Sequence, residues 1–168
     1  MSTAWDTYHR RADALTDVVA ELDRTGRTDL PWDDHLAATF RDRGDLLVAL
    51  HDLWSRRLMG RLDLALELHD IPGSATAEAW AAVAAELPGV RRVLDAYADD
   101  PALARGRATE LRAVALAAGV AGLGESLERS AAKGAEFLDV AERHRLPGRR
   151  DGWLAERLAG LRGLRGVA

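Results

Sequence analysis

Apolar residues recur along the chain at steps of three and four, and the longest run without a proline lying inside such a pattern spans residues 45–70. Wound at about 100° per residue, Asp45, Asp52, Arg56, Asp63, Glu67 and Asp70 fall on one narrow strip that must face water. Leu46, Leu47, Leu50, Leu53, Trp54, Leu58, Met59, Leu62, Leu64, Leu66 and Leu68 spread over the remaining arc, wider than a helix with a single neighbour needs. The pattern predicts a central helix over 45–70 with partners on several sides.

The same reading places the other elements. Trp5, Tyr8, Ala12, Leu15, Val19 and Leu22 form a seam along a first helix over 4–24, which Gly26 ends. Asp29 and Pro31 open a short helix that buries Trp32, Leu36 and Phe40. Beyond an IPGS turn, Thr76 caps a helix running to Leu87 with Trp80 and Val83 inward, and Pro88 stops it. A further short helix covers 90–98. Asp100-Pro101 then reads as an N-cap followed by proline at the first helical position. Helices over 101–119 and 125–146, parted by glycines at 119, 122 and 124, should form a hairpin, and Ala131, Gly134 and Ala141 on one stripe with Leu138 allow close approach. No stretch alternates as a strand would. The expected fold is all-α: a bundle of about seven or eight helices around 45–70, in a single domain over 1–168. The segment 149–168, with Trp153, Leu154, Leu158, Leu161 and Leu164 near one side but three glycines lowering its propensity, is either a last docked helix or a docking tail for a partner.

Composition narrows the function. With no cysteine among 168 residues there are no disulfides, thiol nucleophiles or thiolate metal sites, and a cytoplasmic setting is expected. The formal net charge of −4 opposes nucleic acid, and no apolar run is long enough for a membrane span, so neither is an expected partner.

Candidate chemistry is sparse. His51 and His69 share a helical face but lie about 27 Å apart along it, too far for one ion. Asp6, His9 and Asp13 could share a face of the first helix, and solvated polar residues are the simpler account; no metal or cofactor is assigned. Ser55, Ser126 and Ser130 sit within helices rather than on a nucleophile elbow. The glycines at 119–124 follow no strand and make no phosphate loop. More informative are Arg57 and Arg61, which project within the apolar arc of the central helix. A buried guanidinium requires an anion, either an acidic side chain of another helix or a carboxylate or phosphate ligand. His51 and Trp54 belong to the same arc, so Arg57, Arg61, Trp54 and His51 are the candidate ligand-binding residues, and no catalytic residue is assigned.

The run TFRDRGDLLVALHDLWSRRL from Thr39, with Phe40, Leu46 and Leu47, resembles the junction at which TetR-type regulators pass into their effector-binding and dimerising half. That resemblance implies a helical ligand-binding, two-fold dimeric domain. The family's Ile-Ala-x-x-Ala-Gly-Val pattern has no counterpart before Phe40, so DNA reading is not carried over. The function expected is that of a non-enzymatic helical binding or interaction module, homodimeric, holding a small apolar or anionic ligand between helices. A shortened TetR-like regulator and a helical-bundle enzyme or metal-binding protein are the alternatives.

Overall fold

A computed structural model describes residues 3–68 and 71–144, and among these the chain is entirely helix, turn and loop. Seven helices follow in order: α1 Thr3–Thr25, α2 Asp34–Thr39, α3 Arg43–Leu68, α4 Pro72–Glu86, α5 Pro88–Ala96, α6 Ala104–Ala117 and α7 Leu127–His144. The expected all-α bundle is thus what forms. No helix among the described residues is long and apolar enough to cross a membrane. His69 and the segment 149–168 lie outside the described residues.

Helix α3 packs against α1, α4, α5 and α6, which is why its apolar arc is wide. Its Leu46, Leu47, Leu50, Trp54, Leu58 and Leu62 are buried, facing Val18 and Leu22 of α1, Val83 of α4 and Val90, Val93 and Leu94 of α5 across one core. Helices α6 and α7 form the expected hairpin. Where they touch, a Cβ on Gly134 would overlap the carbonyl of Leu111, so the two backbones lie closer than any side chain would permit. Arg112 ties down the intervening loop, donating to the carbonyls of Glu125 at 2.6 Å and Leu123 at 3.0 Å.

Several local expectations are corrected. Trp5 and Tyr8 are exposed, each 66 %, and Ala12 is also exposed. The seam keeps Leu15, Val19 and Leu22 of the expected set and adds Ala14 and Val18, while the first two turns of α1 run past the end of the core; there Trp5 and His9 meet edge to face at 4.3 Å. Asp33, not Asp29, caps α2, accepting from the Leu36 amide at 2.8 Å, whereas Asp29 pairs with Arg27. Pro72 opens α4 a turn before Thr76, which is therefore fully buried inside the helix with its hydroxyl unpartnered. Asp100 accepts from the Ala102 amide in a separate turn, and α6 starts only at Ala104. The last turns of α3 outrun their neighbours, leaving Leu64, Leu66 and Leu68 exposed.

Candidate functional site

His51 and Ser55 stand one turn apart on the face of α3 that meets α6. Gly106 of α6 makes the approach possible: a Cβ there would lie 2.9 Å from the His51 ring, so any side chain would displace the imidazole. One turn further along α6, Glu110 meets both residues. Its Oε2 is 2.9 Å from His51 Nε2 and accepts from the Ser55 hydroxyl at 3.3 Å, while Ser55 Oγ lies 3.4 Å from His51 Nδ1. The side chains of His51 and Glu110 are 8 % and 4 % exposed. Nearness is not full satisfaction: the ring N–H is not aimed at the carboxylate, and Nε2 is a buried atom without a hydrogen-bond partner. Ser55 has one proton to give and two acceptors beside it.

The trio forms the polar end of a half-open groove of about 450 Å³ between α3 and α6. Val48 and Met59 of α3, with Ala102, Leu103 and Ala113 of the facing segment, make its walls apolar. Asp52 and Arg105, both exposed, stand at its mouth. Apolar walls, a few converging polar groups and a volume of this size are the attributes of a small-molecule pocket.

Despite the likeness to a Ser-His-acid triad, acyl transfer does not fit. Ser55 lies inside α3, where following amides are already donated to carbonyls four residues back, so no oxyanion hole can form beside it. Among the described residues no three histidine or carboxylate side chains converge as a metal site.

The four residues expected to bind a ligand do not share this site. His51 is in it. Trp54 faces the opposite partners, buried edge to face against Trp80 at 5.1 Å, with the Arg91 guanidinium 4.7 Å above its ring. Arg57 and Arg61 were expected to be buried, but their side chains are 59 % and 49 % exposed. Both reach Glu86 of α4, at 3.5 and 3.3 Å, so an acidic side chain of another helix is their partner. The reason is geometric: besides Glu86, α4 presents the small Ala82 and Ala85 to them and leaves the groove between open to solvent. Ser55 and Glu110 are the residues the sequence reading missed. The four-residue step from His51 to Ser55, and the same step from Gly106 to Glu110, are visible in the sequence, but nothing in it says that the two steps face one another.

Comparison of the chain with known protein families, characterised proteins and solved structures finds no match.

Proposed function

We propose that the protein is a non-enzymatic helical binding module that holds a small molecule in the groove between α3 and α6. The observation that supports this reading is the coincidence of an open apolar groove with the buried trio His51, Ser55 and Glu110 at one end of it. Burying a carboxylate and an imidazole so that one ring nitrogen lacks a partner costs stability. A ligand that hydrogen-bonds to the under-satisfied polar groups of this trio would repay part of that cost, which a purely structural contact would not need. The expected apolar ligand fits these walls better than an anion, since Glu110 and Asp52 are both acidic.

Ala113→Phe tests the reading, because Ala113 lies on the groove wall and is only partly buried, so the larger ring fills the groove without entering the core. Native mass spectrometry of the full chain as purified is expected to show a retained small molecule that the variant has lost. A wild-type chain free of any adduct, with a melting temperature that no apolar probe raises, would refute it.

The homodimer expected from the sequence enters this proposal through a different surface. The small-residue stripe of α7, with Ala131, Gly134 and Leu138, is buried within the chain by α6 and is not free for self-association. Leu64 and Leu68 at the end of α3 and Ile71 at the start of α4 are exposed apolar side chains that offer a surface for a two-fold contact.

A further inference from the structure

Given that the groove holds a ligand, as proposed above, we infer that this ligand is a hydrophobic ammonium ion, an alkyl or arylalkyl amine whose charged head meets Glu110. The deepest acidic group in the groove is the Glu110 carboxylate, almost wholly removed from water. Among the described residues its one basic neighbour within ion-pair distance is His51, whose ring N–H is misaligned with it. A buried carboxylate so weakly compensated attracts a cation that can hydrogen-bond to it.

The surroundings point the same way. On the far side of Glu110 a smaller cavity of about 190 Å³ contains Arg91 and Arg107, but Arg91 is spent on Asp95 at 2.5 Å and on the Trp54 face. Neither arginine reaches Glu110 within 4.0 Å. At the mouth, Asp52 adds a second negative charge against the single positive charge of Arg105. The formal charges lining the groove therefore sum to one net negative, with the acid at the bottom and the only guanidinium outside. An entering ammonium is drawn inward, while an entering carboxylate meets like charge at the depth where solvent screens least. An ammonium carries three donors and no acceptor, so it can bond to Glu110 and to the Ser55 oxygen together. The chain it trails is covered by Val48, Met59, Leu103 and Ala113.

The test compares hexylammonium, benzylammonium, 1-hexanol and hexanoate by calorimetry on the full chain. Equal chain length holds the apolar contribution constant across the hexyl set. Hexylammonium or benzylammonium is expected to bind about tenfold tighter than hexanol, with hexanoate weakest. Glu110→Gln should bring the amine-to-alcohol ratio to about one. Because that buried substitution can unfold the chain, the exposed Asp52→Asn serves as a second variant. It should weaken the amine by about two- to threefold at low salt and leave hexanol unchanged. If hexanol or hexanoate matches the amines, and Ala113→Phe still blocks that binding, the ammonium assignment is overturned while the ligand site stands. If no probe binds at all, the ligand site falls and the assignment falls with it.

Discussion

Asp45 shows how one carboxylate can join two helices. It sits in the first turn of α3, accepts both terminal nitrogens of Arg11 from α1 at 2.8 and 2.9 Å, and also accepts the Arg41 amide at 3.1 Å. The Arg11 hydrogen bonds, foremost, hold its carboxyl down at about 2. A depressed folded-state value means that the pair's stabilisation is complete above the ordinary carboxylate range near 3.9 and fades as pH falls toward 2. Acid titration of the wild type should therefore show a loss of stability between about pH 4 and pH 2 that Asp45→Asn lacks. At neutral pH the substitution should cost about 1 kcal/mol in denaturant unfolding, since the pair is partly exposed. His51 and Glu110 obey a different rule, because both are buried. His51→Leu should destabilise by about 1–3 kcal/mol by removing the basic neighbour of a buried carboxylate, whereas adding Glu110→Met should recover most of the loss. A double variant no more stable than the single would show that the two side chains are not coupled.

At the scale of elements, the α6–α7 hairpin depends on one missing side chain. Gly134 would carry a Cβ into the Leu111 carbonyl, an atom of helix backbone that cannot swing aside. Gly134→Ala raises intrinsic helix propensity, and on an isolated α7 it would be stabilising. In the folded protein it should cost about 1–3 kcal/mol as the helices are forced apart. A Gly134→Ala melt equal to or above the wild type would contradict the close approach. Helix α1 gives the opposite lesson. Its periodicity continues through Trp5 and Tyr8, yet these rings stack on one another at 6.5 Å outside the core. A helix keeps its period whether or not a neighbour extends alongside it.

For the whole molecule, one group of exposed apolar side chains lies where the end of α3 outruns the bundle and α4 begins. Leu64, Leu68 and Ile71 are 50 %, 69 % and 66 % exposed there. If this end forms the proposed two-fold contact, light scattering of the wild type should report a dimer at micromolar concentration. Leu68→Glu should then yield a folded monomer, because a self-complementary surface carries the change twice. A wild type that is monomeric at that concentration would end the dimer proposal without touching the groove, which lies within one chain.

The sequence by itself determined that the fold is all-α, that the long helix beginning near residue 45, observed as Arg43–Leu68, makes its axis, and that α6 and α7 pair as a hairpin. Each of these follows from periodicity, proline and glycine, which act within a few residues of chain. It also pointed to His51, because a histidine inside an apolar arc is visible locally. Only the tertiary structure decided which side of each helix is covered and how far. Arg57 and Arg61 lie at angles otherwise held by leucine, yet they meet water and Glu86, because the other α4 residues they face, Ala82 and Ala85, are too small to cover them. Thr76 has the chemistry of a cap and is buried mid-helix, because Pro72 starts α4 first. Glu110 is one carboxylate among many until α6 lays it against His51, a contact between residues 59 positions apart. Helical periodicity repeats along a single axis and carries no information about which faces of two distant helices meet. That pairing is settled by the packing of the whole core, and here it is also what creates the groove.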